Sequence, residues 1–112
     1  MMQKMKRGDI YWVNFDPSIG TEIKKRRPAI VISNNLSNMY LGRVQVIPLT
    51  SNVSKVYKTE LIIDLQGKKA KAIGSQITTI DKRRLCGFIK TISQKSLQAI
   101  NEIIRIQLGL EI

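Results

Sequence analysis

Short runs of β-branched and apolar residues, each ended by turn-forming residues, fill most of this chain and limit what it can fold into. Runs of this kind suit β-strands, and the Gly, Pro, Asn and Asp residues between them suit turns. The first two thirds of the sequence is therefore expected to form short strands joined by turns. We predict strands over residues 10–15, 29–33, 43–49, 59–65, 70–77 and 87–92.

One helix follows these strands. Ser93 is a suitable N-cap, apolar residues then recur at three- and four-residue spacing, and Gly109 is a suitable stop. The apolar stripe consists of Leu97, Ile100, Ile103, Ile104 and Leu108. Many short strands and one helix predict a mainly β (small α+β) fold, in which a small barrel-like sheet packs against a C-terminal helix.

The sequence also predicts the conformation of three segments between the strands. Residues 34–38 are predicted to form a loop, and residues 81–85 a short capped turn. The basic segment that leads to Pro28 is also predicted to be a loop. Pro48 lies near the end of a predicted strand and has no N–H to donate, so we expect that strand to lie at an edge or to stop pairing there.

The length of 112 residues fits a single domain, which we assign to residues 1–112. No apolar run approaches the ~18 residues of a membrane span, and the basic N-terminus leads into no apolar signal segment. The one cysteine, Cys86, excludes an intramolecular disulfide and fits a reducing compartment, so a cytoplasmic location is expected. Because Cys86 precedes an apolar run, it is predicted to be a buried structural thiol.

Charge and the absence of one residue type restrict the function. The net charge is +11, and the cations cluster, which favours a binding face for a polyanion over a merely solvated surface. The chain has no histidine, which excludes Ser-His and Cys-His catalysis and every zinc site that needs imidazole. We therefore expect no metal and no cofactor. The clusters lie at residues 24–27, 68–71 and 82–84.

Two residues at strand ends could act on a phosphate. Arg27 precedes Pro28, which restricts its backbone to extended angles at the entry of a strand. Thr50 stands at the exit of another strand, with Ser51 beside it. A guanidinium and a hydroxyl that converge could hold a phosphate and stabilise charge on its oxygens. The alternative is a surface arginine and a threonine that merely ends a strand.

An ordered set of motifs resembles the MazF/PemK family of ribonuclease toxins. The motifs are KRGDIYW at 6–12, FDP at 15–17, GTE at 20–22, RPAIVIS at 27–33, VIPLTS at 46–51 and SQITTIDKRRL at 75–85. The resemblance implies an SH3-like barrel with a C-terminal helix, acting as a homodimer. It further implies sequence-selective, metal-independent cleavage of single-stranded RNA by a toxin whose partner is an acidic antitoxin.

The resemblance also assigns residues to the site. It makes Arg27 and Thr50 catalytic, and it adds Glu22, a candidate proton acceptor, and Gln76 to the same pocket. The cleavage it implies uses the RNA 2′-hydroxyl as nucleophile and leaves a 2′,3′-cyclic phosphate and a 5′-hydroxyl. The residues expected to bind RNA are Lys24, Lys25, Arg26, Ser51, Gln76 and Tyr57.

Aromatic residues could stack on unpaired bases. Tyr40 and Tyr57 fall in predicted loops, where stacking and plain surface packing are both open, whereas Trp12 is expected in the core or at a dimer interface. Two other functions fit the charge and the fold. One is a nucleic-acid-binding barrel without catalysis, and the other is a toxin of the same fold that poisons a topoisomerase by protein contact.

Overall fold

The computed structural model describes residues 4–110 and contains a curled antiparallel sheet with one long helix against it. In chain order the elements are β1 (Asp9–Asn14), β2 (Arg26–Val31), α1 (Asn35–Tyr40), β3 (Arg43–Thr50), β4 (Glu60–Leu65), β5 (Lys68–Ile73), β6 (Thr78–Asp81), β7 (Leu85–Thr91) and α2 (Gln94–Gln107). The predicted mainly β fold with a packed C-terminal helix is confirmed. No helix within the described residues is long and apolar enough to cross a membrane.

The strands follow one path, β4-β5-β3-β2-β1-β7, and β6 also pairs with β3. The strand with Pro48 does not lie at an edge, because β3 is bordered by β2 on one side and by β5 and β6 on the other. The alternative expectation, that pairing stops at the proline, is met on the side of β5 and β6. On that second side, β6 pairs with β3 as far as Val46 and β5 begins at Leu49. Pro48 lies in the interval between them, where no neighbouring strand needs its missing N–H.

Two apolar clusters lie on the two faces of the curled sheet. One joins Ile10, Ile30 and Leu49 to Ile100 and Ile103 of α2, and the other gathers residues such as Val13 and Val46. Ile100 and Ile103 are almost fully buried, and burial of such side chains contributes about 1.5–3 kcal/mol each. The helical stripe predicted from sequence therefore holds α2 to the sheet, although its last member, Leu108, remains exposed.

Both predicted ends of α2 are confirmed. Ser93 Oγ accepts the Ser96 N–H at 3.1 Å. Gly109 adopts a φ of 68°, and the Leu110 N–H donates to the Arg105 carbonyl at 2.9 Å. This closing pattern satisfies carbonyls that the last turn would otherwise leave without partners.

Three segments differ from the sequence prediction. The basic segment that leads to Pro28 is not a loop throughout, because β2 begins at Arg26 and pairs with β1 from there. Residues 34–38 belong mostly to α1 rather than to a loop, because Asn34 caps this helix by accepting the Ser37 N–H at 2.8 Å. The side chain of Asn38 is buried and donates to the Ser33 carbonyl at 2.8 Å. Asn34 and Asn38, which suggested a loop, thus cap and anchor a short helix.

The predicted strand over residues 70–77 ends at Ile73, since Gly74–Gln76 form a 3₁₀ turn.

Cys86 is exposed, so its prediction as a buried thiol is wrong. It belongs to β7, the last strand of the sheet, which pairs only with β1 along an irregular register. Its thiol donates to the Arg84 carbonyl at 3.3 Å. An edge strand leaves part of its surface uncovered, and the apolar run after Cys86 does not reveal which residues face outward.

Candidate active site

A groove of about 540 Å³ opens at the end of the sheet where β2 begins and β3 ends. Its charged lining residues are all cations: Arg26, Arg27, Lys68 and Lys69. Apolar walls complete it. They comprise Trp12, Pro28, Leu49, Leu65, Ala70, Phe88 and Ile89. A cationic cleft with apolar walls attracts a polyanion and concentrates the local field on it.

Arg27 and Thr50 lie at neighbouring strand ends. The β2–β3 ladder ends at the pair Ala29–Pro48, two residues short of Arg27 in β2 and of Thr50 in β3. Both residues line the groove. The guanidinium and the hydroxyl singled out from sequence are thus brought to one groove by long-range strand pairing.

Arg27 is anchored at one nitrogen only. Its Nε donates to the Lys24 carbonyl at 3.0 Å, and its two terminal nitrogens have no hydrogen-bond partner among residues 4–110. Its backbone pairs with Val13 of β1. The side chain is therefore held near its base while the forked end can form two parallel hydrogen bonds to a phosphate.

The Thr50 hydroxyl lies beside further donors at the start of the β3–β4 connection. Thr50 Oγ1 accepts the Asn52 N–H at 3.3 Å, so its own O–H can donate elsewhere. Ser51 lines the groove next to it. A phosphate at this end of the groove would meet a guanidinium from β2 and hydroxyls from the end of β3.

Two aromatic rings form one wall of the groove. Trp12 and Phe88 are 41% and 40% exposed, so Trp12 does not belong to the core, contrary to one of the two sequence expectations. Phe88 packs edge-on against Tyr11, with 5.5 Å between ring centroids. Burial raises the pKa of Tyr11, with a smaller contribution from Asp9, so this supporting phenol stays neutral at pH 7. Phe88 was not singled out from sequence, because one aromatic in an apolar run carries no sign of exposure.

Gln76 and Glu22 lie elsewhere. They line a second cavity of about 280 Å³, together with Ser75, Thr78 and Thr79, rather than the groove of Arg27 and Thr50. The Glu22 carboxylate accepts the Ile19 N–H at 2.8 Å and closes a turn. Glu22 and Gln76 therefore do not line the groove that contains Arg27 and Thr50, where the resemblance had placed them.

Gln76 ties down the long β1–β2 loop. Its Oε1 accepts the Ile23 N–H and its Nε2 donates to the Thr21 carbonyl, both at 3.1 Å. With both amide atoms engaged by loop backbone, Gln76 is a loop anchor in this chain. The sequence predicted Gln76 as an RNA contact, whereas both of its amide hydrogen bonds are to the β1–β2 loop. Motif spacing does not indicate which loop packs over a residue.

The end of the same loop carries the predicted RNA-binding cations. Lys24 and Lys25 are exposed, and Arg26 reaches the groove. Lys25 adopts a φ of 70°, a left-handed conformation that is costly for lysine. Hydrogen bonds compensate for it, because the Lys25 N–H donates to Asp16 Oδ1 at 2.9 Å and its carbonyl accepts the Phe15 N–H at 2.9 Å.

The two tyrosines predicted in loops are both exposed. Tyr57 is 59% exposed in the β3–β4 loop, outside the groove lining, and Lys55 Nζ lies 5.8 Å from its ring centroid. Tyr40 ends α1 rather than lying in a loop. Tyr57 thus remains available as a stacking surface beside the groove, whereas Tyr40 does not line it.

Known proteins are similar to this chain in sequence and in fold. Endoribonuclease MazF9 of Mycobacterium tuberculosis is 35% identical over 115 residues, covering 95% of this chain and 98% of the relative. The crystal structure of MazF (Form-I) from Deinococcus radiodurans matches with a TM-score of 0.85 and 25% identity, over 96% of this chain and 99% of that one. A MazE-MazF structure (Form-III) from the same organism matches with a TM-score of 0.76 and 25% identity, over 96% and 98% of the two chains.

The fold and the site define a small curled-sheet protein with a cationic groove lined by an arginine near the start of β2 and a threonine at the end of β3. The family model of PemK-like, MazF-like toxins of type II toxin–antitoxin systems matches residues 6–108. The chain belongs to this toxin family.

Proposed function

We propose that this chain is a sequence-selective, metal-independent endoribonuclease that cleaves single-stranded RNA as the toxin of a toxin–antitoxin pair. The observation that carries the proposal is that Arg27 and Thr50 line one groove whose charged residues are all cations. The 35% identity to a protein named endoribonuclease MazF9 supports the same activity.

The chemistry needs no protein nucleophile. The 2′-oxygen of the RNA attacks its own phosphorus, the bond from phosphorus to the 5′-oxygen breaks, and a 2′,3′-cyclic phosphate remains. The 2′-hydroxyl loses a proton and the departing 5′-oxygen gains one. Arg27 stabilises the negative charge on the phosphate oxygens, and Thr50 donates a hydrogen bond to hold the phosphate in line.

Glu22 was the carboxylate expected to accept the 2′-proton. Its hydrogen bond to the Ile19 N–H and its distance from the groove lining argue against that role in this chain. Glu22→Gln should therefore change cleavage by less than about threefold, with the pH profile unchanged. A loss near the 10²-fold or greater scale of a general base would restore Glu22 to the reaction.

The RNA is proposed to follow the groove and the neighbouring basic loop. Arg26 contacts phosphates together with Lys24 and Lys25, and Ser51 extends the hydroxyl row beside Thr50. Unpaired bases stack on exposed aromatic rings, for which the groove offers Trp12 and Phe88 and the adjacent loop offers Tyr57. Gln76 contributes indirectly, by anchoring the β1–β2 loop.

Incubation of the purified chain with single-stranded RNA in EDTA tests the proposal. Cleavage is expected, with new 5′-hydroxyl ends that a polynucleotide kinase labels without prior phosphatase treatment. A substrate with 2′-deoxyribose at the cut position should remain intact. Intact RNA that is nonetheless bound would indicate a binding barrel, and neither binding nor cleavage would favour a toxin that acts through protein contact.

An acidic antitoxin is the proposed regulator. The net charge of +11 and the similar MazE-MazF structure support such a partner. An extended acidic segment would occupy the groove and compete with RNA for Arg27, with charge attraction accelerating the encounter. A binding titration with uncleavable RNA should show mutual exclusion, whereas simultaneous saturation by both would contradict the idea.

Assembly and location complete the proposal. A homodimer of single-domain chains acting in the cytoplasm fits the family. The exposed Met39, which lines a cleft together with Leu85 of β7, offers apolar surface for a second copy. Sedimentation at micromolar concentration should give twice the chain mass of 12.7 kDa.

A further inference from the structure

Lys71 is a buried cation that the mechanism above does not use. It pairs with Thr50 in the β3–β5 ladder. Only 8% of Lys71 is exposed. Lysine is seldom buried unless its ammonium group has partners, and the partners found here indicate what this one does.

The ammonium group links the middle of the β3–β4 connection to the first residue of β4. Lys71 Nζ lies 3.2 Å from Glu60 Oε1 at the start of β4, and it donates to the Lys55 carbonyl at 2.7 Å. The same Glu60 oxygen accepts the Tyr57 N–H at 2.9 Å. We call this arrangement the Lys71–Glu60 clasp. It fixes the second half of the loop formed by residues 51–59 to the sheet.

The first half of this loop is tied to the catalytic threonine. The Asn52 N–H donates to Thr50 Oγ1 at 3.3 Å, and Asn52 Oδ1 accepts both the N–H and the O–H of Ser54. The loop is thus held near Thr50 at one end and by the clasp at the other. Tyr57, between these points, keeps 59% of its surface exposed.

We propose that Lys71 is a positioning residue for the RNA substrate, because the Lys71–Glu60 clasp holds residues 51–59 in the conformation that receives RNA beyond Thr50. The inference rests on the proposed function for the identity of the substrate. Lys71 is not a phosphate ligand, since its ammonium group is occupied by a carboxylate and a carbonyl in a nearly closed environment. Preorganising a loop lowers the entropy that binding would otherwise cost.

The first experiment measures amide hydrogen exchange of residues 51–59 in the absence of RNA. Lys71→Met should accelerate amide hydrogen exchange within residues 51–59, above all at Tyr57, by about tenfold or more, the scale of losing a hydrogen bond to a charged group. Lys95→Met is the matched control, because it makes the same charge change on the exposed face of α2. Unchanged exchange in Lys71→Met would overturn the clasp.

The second experiment measures RNA binding and the kinetics of RNA cleavage. Lys71→Met should weaken binding of 2′-deoxy-blocked RNA and raise the KM for cleavable RNA by about tenfold, while kcat stays within about threefold. Lys71→Arg should recover part of the binding, and Lys95→Met should change it little. An effect on kcat alone would contradict positioning.

Replacement of Glu60 distinguishes a positioning role of Lys71 from a direct contact between Lys71 and RNA. Glu60→Ala adds net positive charge and frees the Lys71 ammonium group, so a phosphate-binding Lys71 would then bind RNA more tightly. The clasp predicts weaker binding instead, and a double variant, Lys71→Met with Glu60→Ala, no weaker than the worse single one. Tighter binding by Glu60→Ala would overturn the inference.

Two safeguards keep these outcomes distinct. If Lys71→Met does not fold, Lys71→Arg and Glu60→Gln provide milder perturbations with the same expected order of effects on exchange and binding. If the wild-type chain binds RNA without cutting it, the proposed function fails, while the exchange and binding measurements still decide the role of Lys71.

Discussion

Replacing Arg27 with alanine is the sharpest test of the site. The change removes the guanidinium that lines the groove together with Thr50, and it leaves the backbone pairing with Val13 in place. The side chain makes one internal hydrogen bond, from Nε to the Lys24 carbonyl. Loss of that bond in a partly exposed residue should lower the free energy of unfolding by only about 1 kcal/mol.

The expected loss of activity is much larger. The two terminal nitrogens of Arg27 are the donors available to the phosphate as its charge builds up. Removal of one positioned donor of this kind costs about 2.7–4 kcal/mol in the transition state, or 10²–10³-fold in rate. Because both nitrogens leave together in Arg27→Ala, we expect a loss of at least about 10²-fold in kcat.

Single-turnover cleavage of a short RNA in EDTA measures this effect, and circular dichroism checks the fold. Arg26→Ala is the matched control, because Arg26 is the neighbouring residue, lines the same groove and carries the same charge, but is proposed only to bind phosphates. It should raise KM and leave kcat within a few-fold. Cleavage by Arg27→Ala within a few-fold of wild type, or equal kcat losses in both variants, would refute the assignment.

Three further results are expected. Thr50→Val should reduce kcat by about 10²-fold at nearly unchanged stability; cleavage near the wild-type rate would remove Thr50 from the reaction. Binding of uncleavable RNA should weaken with salt at a log–log slope of about −0.7 per phosphate, and Lys24→Glu or Lys25→Glu should flatten that slope more than Lys95→Glu; equal effects would place the RNA elsewhere. Gly74→Ala should lower the free energy of unfolding by about 3 kcal/mol or more in urea denaturation, because its Cβ would collide with the Thr59 carbonyl and the Ile103 side chain; a midpoint unchanged from wild type would contradict this packing.

Local patterns account for much of the fold. The α2 helix could be predicted with both ends because its apolar spacing, its Ser93 cap and its Gly109 stop are all properties of neighbouring residues. The turn at residues 81–85 was equally accessible, since Asp81 accepts the Arg83 N–H two residues away. Hydrogen bonds to Arg83 also keep the pKa of Asp81 below its usual value, so this cap persists at neutral pH.

Local sequence patterns do not predict which strands lie side by side. Pro48 has no N–H wherever it stands, but whether that matters depends on which strand lies beside it. In β3 the proline falls in the interval between β6 and β5, so a central strand tolerates it. Exposure of Cys86 and Trp12 likewise follows from their places at the edge of the sheet and on the groove wall, which apolar periodicity does not encode.

The sequence by itself determined the strand-rich architecture, the helix, the positive charge, the histidine-free chemistry and, through its motifs, the toxin family. Tertiary structure alone decided that Arg27 and Thr50 line one groove, that Lys71 beside Thr50 forms a buried clasp with Glu60, and that Glu22 and Gln76 line another cavity. The physical reason is that residue type and spacing govern local conformation, whereas proximity between distant residues arises from strand register and from loops held by specific hydrogen bonds.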